Sequence, residues 1–514
     1  MNTLRTSYTV ALLLAFTLAA GLRLFLTGYS RCISTDGVYY AGIARQFVTE
    51  GSPYHPTFPP LYPVLIGWLY PLTGNFEAAG RTVSALLGAL AVWPAALLAQ
   101  RIYGVRIACY TAFLVALHPV LVDHGTQVLT EAPFAALMTA ALAAAYIALT
   151  HGGALSFGTA GIFLGLATLM RPEAIAYVPF VALIALSRVR RQEATRRQTI
   201  AHVAIHVLAF GLICFPYAHY LKTTTGSWSL TGKTEIMLTK AQAVGEPDIG
   251  LAVERLQQSQ QRPEGFLSEL VRRPLSVVKR CAMNVHLAHK YVVPELFPPL
   301  LLIITAMGLL RTVSSDRRQI FLLASMVPYT PVFLFIVEPR VFLPLVPIAL
   351  IWSARGIGEL QHRLQKYLGD KIPILGQTHS FHPVLLIVIL SLLPYTLRPV
   401  YRPDPNAIYR EAGLWMRDHV GHPQRIAFQK PWIAFYADAE HISIPNLGYK
   451  DTIRKLIDSR TTHLVVDSQI TPRYHPHLLP LICGQDTSRS LTAIKLLIGC
   501  QRHILMIYGF TAVP

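Results

Sequence analysis

Charged side chains stand at the ends of hydrophobic runs in this sequence. Asp36 follows the first apolar run and Glu131 opens a later one. Arg171 stands at a break between two apolar runs, and Arg340 comes just before another. An ionisable group at or within a hydrophobic segment costs free energy, so it usually has a function. We therefore take these four residues as the candidates for chemistry.

Each carboxylate has two interpretations. Asp36 precedes the helix-like stretch 38–47, so it suits an N-cap, and it equally suits a base that removes a proton from an acceptor hydroxyl or amine. Glu131 either lies at the level of the lipid headgroups or shares a cavity with Asp36. In a shared cavity, two carboxylates could hold a metal ion or divide acid and base roles.

Each arginine has two interpretations as well. Arg171 either pairs with the nearby Glu173 in an interfacial turn or recognises a phosphate group, as Arg340 could do. Arginine suits phosphate because its planar guanidinium donates two parallel hydrogen bonds. The sequence has no HExxH, GxSxG, GxGxxG or P-loop motif. This pattern favours a reaction on an anionic lipid over hydrolysis by a nucleophile.

The composition places these residues in a membrane protein. The chain has 514 residues, of which 53% are hydrophobic and only 14% are charged, whereas soluble domains average about 25% charged residues. Its mean hydropathy is +0.42. These values exclude a disordered, fibrous or disulfide-scaffold protein. The formal charge of +18 invites a nucleic-acid partner, but much of the positive charge falls in short loops, where it orients a membrane protein.

The fold predicted from the sequence is a mainly α-helical polytopic membrane protein with about eleven transmembrane helices. Basic residues near 101–106, 188–197, 311–318 and 355–371 all fall on one side if the N-terminus is cytoplasmic. We interpret Leu61–Thr73 as an interfacial or partly inserted helix. The eleven predicted segments are 8–28, 79–100, 104–122, 131–150, 156–170, 173–187, 201–221, 297–310, 319–337, 341–354 and 383–399.

This topology predicts two domains. Residues 1–399 form the transmembrane domain, with a first outer loop at 29–78 and a long outer loop at 222–296. Basic residues of the long loop suit either anionic headgroups or a solvated helix face; they are Arg272, Arg273, Lys279, Arg280 and Lys290. Residues 400–514 form a small periplasmic α/β domain. Its predicted helices are 406–419 and 450–459, and its predicted strands are 425–429, 463–467 and 503–508.

The order of these features resembles the GT-C superfamily of polytopic glycosyltransferases. The similarity is greatest to the bacterial branch related to protein O-mannosyltransferases and to the lipid A aminoarabinose transferase (glycosyltransferase families 39 and 83). It covers roughly residues 8–355 and rests on Asp36, the Pro59–Pro63 element, Arg81, the Gly104–Arg106 turn, Thr130 with Glu131, the 165–173 stretch and Arg340. The resemblance also implies a small outer α/β domain at the C-terminus.

The resemblance implies specific roles for the candidate residues. Asp36 is expected to be the catalytic base and Glu131 a second carboxylate in the cavity, while Arg171 and Arg340 are expected to bind the donor phosphate. Tyr39, Tyr40 and Tyr62 are candidates for the substrate pocket, although interface anchoring is an alternative for the first two. One departure concerns residues 58–60, Phe-Pro-Pro, where aminoarabinose transferases carry Lys-Pro. In addition, Gly37 follows Asp36, where the protein-mannosyltransferase branch has paired acids.

The expected function is therefore that of an inverting glycosyltransferase. It would move a sugar from a polyprenyl-phosphate donor to a lipid, glycan or protein acceptor at the outer face of the bacterial cytoplasmic membrane. The partners are thus the donor, the acceptor and membrane lipids, without nucleic acid. The alternative is a transporter or flippase for lipid-linked sugars. No cofactor is certain, no metal ligands are assigned and a divalent metal ion is possible; Cys483 and Cys500 could form a disulfide in the periplasm.

Overall fold

The computed structural model describes residues 2–29, 31–191, 195–244, 246, 251–253, 256, 266–310, 317–335, 337–368, 382–402, 404–421, 424–485 and 490–511. The chain divides into two compact units. The first consists of Met1–Gly28 and Ile43–Arg398, and the second of Tyr29–Gly42 and Pro399–Pro514. The sequence predicts a domain boundary near residue 399. The structure also groups the earlier segment Tyr29–Gly42 with the C-terminal part.

The described part of the first unit is almost entirely helical. Helix α2 begins in the second unit and ends in the first. The α-helices are α1 (Asn2–Thr27), α2 (Thr35–Glu50), α3 (Leu61–Thr73), α4 (Phe76–Leu90), α5 (Val92–Tyr103), α6 (Val105–Leu117), α7 (Pro119–His124), α8 (Glu131–His151), α9 (Ala154–Met170), α10 (Tyr177–Arg190), α11 (Arg196–Thr225), α12 (Thr234–Gln242), α13 (Phe266–Arg272), α14 (Pro274–Leu287), α15 (Val293–Leu296), α16 (Pro299–Leu310), α17 (Arg317–Ala324), α18 (Val346–Leu368) and α19 (Pro383–Thr396). A π-helical turn covers Ala288–Val292, and 3₁₀ turns cover Pro172–Ala176, Val327–Leu334 and Pro339–Leu345.

The apolar helices make this unit a multi-pass membrane domain. Among the described residues, 6 helices are long and apolar enough to cross a membrane, and a bent pair raises this number to 7. The other predicted segments correspond to shorter apolar helices, such as α6, α9 and α19. The predicted segment 104–122 is broken, because α6 ends at Leu117 and α7 begins at Pro119. Within the described ranges, fewer helices are long enough to span a membrane than the eleven segments predicted.

Side chains from other helices satisfy the carbonyl groups at the break between α6 and α7. The fully buried Arg23 of α1 donates to the carbonyl oxygen of Ala116 at 3.0 Å and to that of Val115 at 3.4 Å. Thr396 of α19 donates to the carbonyl oxygen of Leu117 at 2.9 Å. The last carbonyls of a helix have no partner within it, and an unsatisfied one in an apolar interior costs several kcal/mol. These contacts therefore stabilise the broken helix.

The irregular segment that leads from α7 to Glu131 is stabilised in the same way. Arg81 donates to the carbonyl oxygen of Thr126 at 2.8 Å, and Ser84 donates to that of Leu129 at 3.0 Å. Both side chains belong to α4, and both are buried. Irregular backbone within a membrane domain is tolerated where protein covers it. Helix α4 thus fixes the backbone immediately before Glu131.

The contacts of Arg23 predict a loss of stability on substitution. Arg23→Met removes two hydrogen bonds between helices and should lower the free energy of unfolding by about 3 kcal/mol. Arg106→Met, at the exposed opposite end of α6, serves as the control. The measurement is thermal unfolding of the purified full-length protein in detergent. Equal unfolding temperatures for the two variants would contradict this role for Arg23.

The second unit contains a mixed sheet of 5 strands in the order β2-β1-β3-β5-β4. Strand β1 pairs in parallel with β2 and β3, while β5 pairs antiparallel with β3 and β4. The strands are β1 (Arg425–Ala427), β2 (Glu440–Ile442), β3 (His463–Asp467), β4 (Leu491–Ile498) and β5 (Ile504–Phe510). The helices are α20 (Arg398–Tyr401), α21 (Ala407–His419), α22 (Trp432–Tyr436), α23 (Tyr449–Asp458), α24 (Thr471–Tyr474) and α25 (Leu479–Ile482), and 3₁₀ turns cover Pro476–Leu478 and Cys500–Arg502.

The sheet has an apolar cluster on each face. Val465 of β3 packs with Met416 of α21 in one cluster, and Leu464 packs with Leu456 of α23 in the other. Adjacent strand residues point to opposite faces, so the wholly buried strand β3 contributes to both. The sequence predicted strand β3 and the helices α21 and α23. The predicted small C-terminal α/β domain is therefore confirmed as a sheet domain. It missed β2, which has 3 residues, and β4, whose side chains are mostly exposed or half-buried.

A buried histidine predicts how the stability of this unit varies with pH. Burial, and secondarily the charge of His477, lowers the pKa of His475 from 6.5 to about 4. Because the folded pKa lies below the unfolded one, the stabilisation is fully present above pH 6.5 and is lost as the pH falls towards 4. The expected loss is about 3 kcal/mol.

His475→Gln should make this pH dependence shallower. The pH dependence is measured by amide hydrogen exchange of β3 in the full-length protein, with the exchange rates corrected for their intrinsic pH dependence. His419→Gln serves as the control because His419 is exposed. If His475→Gln and the wild type lost equal protection between neutral and mildly acidic pH, the assignment to His475 would be wrong.

Candidate active site

The first unit brings three of the predicted site residues together. Glu131, at the first position of α8, is 2% exposed. Its Oε1 atom accepts a hydrogen bond from Arg171 at 2.8 Å and lies 3.8 Å from the guanidinium of Arg340. One buried carboxylate therefore lies between two guanidinium groups. These groups come from three separate parts of the chain.

The helix break at Pro172 positions Arg171. Helix α9 ends at Met170, Arg171 takes an extended conformation and Pro172 begins a 3₁₀ turn. Proline disfavours a helical conformation in the residue before it, which accounts for the break. The guanidinium of Arg171 also binds Glu173 at 2.8 Å, so the interfacial Arg–Glu pair considered for this turn is present. Arg171 thus contacts two carboxylates.

Arg340 is held more loosely than Arg171. It lies in the 3₁₀ turn Pro339–Leu345, and its Nε atom donates to Glu338 at 2.6 Å. Its side chain is 31% exposed, against 13% for Arg171. The longer distance to Glu131 and the greater exposure make Arg340 the easier of the two for an anion to reach.

The charges of this cluster nearly cancel. Two arginines face three carboxylates, those of Glu131, Glu173 and Glu338, which leaves one formal negative charge. Lys233 lies close enough to Glu173 for its positive charge to act on that carboxylate. Glu131 and Glu173 each keep one buried oxygen without a hydrogen-bond partner in the described part of the chain. Such oxygens can accept a hydrogen bond from a substrate group.

Sequence reasoning missed Lys233, which lies in the long loop 222–296. The Nζ atom of Lys233 lies 4.8 Å from the centre of the Phe58 ring, a cation–π distance. At the preceding Gly232, a Cβ atom would lie only 1.6 Å from the carbonyl oxygen of Pro56, so this loop packs directly on the backbone of the first loop. The sequence feature that could have indicated this position is the short Thr231-Gly232-Lys233-Thr234 segment before α12.

Tyr329 is a second residue that sequence reasoning missed. It is 2% exposed, and its hydroxyl donates to the carbonyl oxygen of Val341 at 2.7 Å. Its ring lies near Arg171, Glu173 and Glu131. Tyr329 thereby connects two of the 3₁₀ turns beside the cluster. Its sequence surroundings, an apolar and proline-containing run, carried no signal of this position.

Asp36 belongs to the second unit, whereas the ion-pair cluster belongs to the first. It is half-buried in the first turn of α2. The cap of this helix is Ser34, whose Oγ atom accepts a hydrogen bond from the amide of Gly37 at 3.0 Å. The alternative that Asp36 serves as the N-cap is therefore wrong. A carboxylate in the first turn still benefits from the helix dipole.

The segment around Asp36 is anchored to the C-terminal part of the same unit. The amide of Cys32 donates to Asp404 at 2.6 Å, and the amide of Ile33 donates to the hydroxyl of Tyr436 at 2.9 Å. These contacts join residues far apart in sequence. They fix the backbone just before α2, and with it the start of the helix that carries Asp36.

The three candidate tyrosines differ in their surroundings. Tyr39 is 48% exposed, whereas Tyr40 is 2% and Tyr62 is 0% exposed. The hydroxyl of Tyr62 donates to the carbonyl oxygen of Gly80 at 3.0 Å and contacts Ser84 at 2.7 Å. The packing of α3 on α4 thus accounts for Tyr62 without a substrate. A role for these tyrosines in substrate binding stays a prediction.

The candidates for metal binding and for a disulfide stay open. Among the residues that the structure describes, no three His, Cys, Asp or Glu side chains are grouped so that they could hold a metal ion. Cys483 and Cys500 are both exposed and carry free thiols. No step of a mechanism is assigned to either feature.

Comparison with known proteins links part of the chain to one family. Residues 55–219 match the family described as dolichyl-phosphate-mannose-protein mannosyltransferase. This range includes Glu131 and Arg171 and ends within α11. No curated protein sequence gives a significant match.

Solved structures similar to this one cover nearly the whole chain. ArnT from Cupriavidus metallidurans in the apo state has a TM-score of 0.59 at 13% identity over 98% of this chain and 98% of its own. The same protein bound to undecaprenyl phosphate has a TM-score of 0.58 at 13% identity, covering 96% and 97%. The archaeal oligosaccharyltransferase AglB from Archaeoglobus fulgidus, in complex with an inhibitory peptide and a dolichol-phosphate, has a TM-score of 0.56 at 15% identity, covering 99% and 74%.

These similarities show the fold. ArnT and AglB are GT-C glycosyltransferases, and this chain has the same mainly helical fold with a small C-terminal sheet domain. The match of residues 55–219 adds a similarity to the protein mannosyltransferase family over that part of the chain. The fold that the predicted resemblance to the GT-C superfamily implies is therefore confirmed.

The buried ion pair predicts a strong effect of Glu131 on stability. Glu131→Gln leaves two guanidinium groups short of a countercharge and should lower the free energy of unfolding by about 3 kcal/mol. Glu338→Gln is the matched control because Glu338 is 32% exposed, and it should cost no more than about 1 kcal/mol. Thermal unfolding in detergent measures both. A smaller loss for Glu131→Gln than for Glu338→Gln would contradict the buried ion pair.

Proposed function

We propose that this GT-C protein transfers a sugar from a polyprenyl-phosphate donor to a lipid, glycan or protein acceptor, with inversion at the anomeric carbon. The observation that carries this proposal is Glu131, buried between Arg171 and Arg340 within a GT-C fold. The similarity to ArnT, which has been solved with undecaprenyl phosphate, supports a lipid-phosphate donor. Because the similar proteins are glycosyltransferases, it also supports transfer over the alternative of a transporter or flippase.

In this proposal the two arginines have different roles. Arg171 is held by two carboxylates at 2.8 Å, so it positions Glu131 and does not bind the phosphate directly. Arg340 binds the donor phosphate, because its contact to Glu131 is the longer one, at 3.8 Å, and its side chain is more exposed than that of Arg171. This assignment departs from the sequence expectation, in which both arginines bind phosphate.

Lys233 is the second cation that we assign to the donor. Its ammonium group lies over the ring of Phe58, in the segment 58–60 where aminoarabinose transferases carry Lys-Pro. An ammonium group is a point charge that follows a phosphate oxygen without a fixed geometry. Together, Arg340 and Lys233 would stabilise the negative charge that develops as the phosphate leaves.

The proposed reaction is a single displacement. Asp36, as the base, accepts the proton of the acceptor hydroxyl or amine while the acceptor atom forms a bond to the anomeric carbon of the sugar. The bond between that carbon and the phosphate oxygen breaks, and polyprenyl phosphate leaves with the electron pair. The step needs no covalent intermediate on the enzyme. Glu131 is buried and paired with Arg171, which supports Asp36, the more exposed of the two carboxylates, as the base.

The location follows from the chemistry of the donor. A multi-pass membrane domain keeps a polyprenyl chain in the bilayer, while the sheet unit is water-soluble in character. We propose that the protein lies in the bacterial cytoplasmic membrane with a cytoplasmic N-terminus and a periplasmic C-terminal domain. The basic short loops of the sequence support this orientation.

Two variants test the roles of Asp36 and Arg340. The purified full-length protein is incubated with undecaprenyl-phosphate sugars and candidate acceptors, and release of undecaprenyl phosphate is measured. Asp36→Asn should reduce transfer by at least about 100-fold, because it removes the general base. It should retain binding of undecaprenyl phosphate and the wild-type unfolding temperature. Near-normal transfer by Asp36→Asn would show that Asp36 is not the base.

Arg340→Ala should instead weaken the binding of undecaprenyl phosphate, by about 10-fold or more, because a charge-assisted contact is lost. Arg363→Ala is the matched control, since Arg363 is 48% exposed and pairs only with Glu359 among its described salt-bridge partners. Equal affinities of the two variants would remove Arg340 from the phosphate site.

A further inference from the structure

Helix α14 presents an apolar stripe to its exposed side. Leu275, Val278 and Val285 are 74%, 62% and 54% exposed, and Ala282 between them is exposed as well. Their spacing of three and four residues places them on one face of the helix. The opposite face, with Val277, Arg280, Asn284 and Ala288, is buried. Exposed apolar residues in such a row mark a surface that meets another apolar phase.

The buried face of α14 is fixed to the protein by specific contacts. Arg280 forms two hydrogen bonds with Glu269, at 2.8 and 2.9 Å. The side-chain amide of Asn284 donates to the carbonyl oxygens of Phe333 and Phe335 at 2.8 and 3.2 Å. Arg280 therefore does not contribute to a basic surface, as the sequence had allowed. These contacts determine which face of the helix is exposed.

The exposed face also carries positive charge beside the stripe. Lys279 and His286, seven residues apart, flank the apolar residues, and Lys290 follows in the next turn. Arg272 and Arg273 precede the helix and are exposed too. The helix itself contains no Asp or Glu. A basic face next to an apolar stripe is typical of a helix that lies on an anionic membrane surface.

The bend after α15 gives the direction of this helix relative to a membrane. The helical stretch Pro274–Leu296 makes an angle of 105° with Pro299–Leu310. The latter helix, α16, packs closely along the long apolar helix α18, since a Cβ atom at Gly308 would lie 1.8 Å from the carbonyl oxygen of Trp352. When α16 runs along the membrane normal, α14 lies nearly parallel to the membrane plane. The exposed Tyr291, with Lys290 5.0 Å from its ring, suits the headgroup level.

We infer that α14 lies flat in the membrane–water interface, where its stripe enters the acyl region and its basic flank binds the headgroups of anionic phospholipids. The apolar stripe provides the depth of insertion, and the cations provide the preference for negative lipids. This inference does not depend on the proposed transferase activity, because it concerns a surface apart from the ion-pair cluster. Its ligand is the bilayer itself.

Photo-crosslinking tests the position of the stripe. A benzophenone amino acid replaces Val278 in the full-length protein, which is placed in nanodiscs of phosphatidylcholine with phosphatidylglycerol and irradiated. Lipid adducts are expected at this position. The same amino acid at Leu479, which is 41% exposed in the second unit, is the control and should give few adducts. The inference is wrong if position 278 gives no lipid adduct or gives no more than position 479.

Lipid retention tests the preference for negative headgroups. The variant Arg272→Gln/Lys279→Gln/Lys290→Gln is compared with Arg417→Gln/Lys450→Gln/Arg454→Gln, which removes three exposed charges from the second unit. Native mass spectrometry measures the phosphatidylglycerol-to-phosphatidylcholine ratio retained from nanodiscs of equal parts. The ratio retained by the first variant should fall by about fivefold for each charge removed. A ratio equal to that of the control variant would overturn the inference.

Discussion

A carboxylate stays charged inside an apolar helical domain only if cations are held beside it, and Glu131 imposes this constraint on the first unit. Its neutralisation requires Arg171 at the end of α9 and Arg340 in a distant 3₁₀ turn. The break at Pro172, the turn at Pro339 and the start of α8 must therefore lie together. Because Arg171 cannot leave Glu131 without uncovering a buried charge, this ion pair fixes the start of α8 beside the end of α9.

The same physical rule governs the uncharged backbone. Where α6 ends inside the apolar domain, its last carbonyls need donors, and Arg23 and Thr396 supply them. Arg81 and Ser84 do the same for the segment that leads to Glu131. Each of these side chains is polar and buried, and each belongs to a helix other than the one that it stabilises. In these four cases, a buried polar side chain satisfies the hydrogen bonding of a backbone carbonyl group in another segment.

The sequence predicted the parts of the structure that local pattern determines. The apolar segments and the α/β character of the tail could be predicted from residue type and position. Glu131, Arg171 and Arg340 could be selected as charged groups at the ends of apolar runs, and their roles stay predictions. What it could not predict depends on long-range packing. Lys233 approaches Phe58 only because Gly232 lets two loops touch, and Ser34 replaces Asp36 as the cap only because the helix begins one residue earlier than Asp36. Short or half-exposed strands such as β2 and β4 carry too weak an alternation to be found.

The segment Tyr29–Gly42 has a consequence for how the second unit is made. Its partners Asp404 and Tyr436 follow the membrane domain in the chain, so the contacts that hold the start of the helix with Asp36 form only after that domain has been synthesised. A truncated chain that ends before residue 399 therefore keeps Asp36 but not the scaffold of its helix start. In a cell, an interrupted copy of this protein would insert its helices into the membrane without assembling the surroundings of its proposed base. The surroundings of the proposed base are therefore assembled after the helices of the membrane domain, although Asp36 itself is among the first residues made.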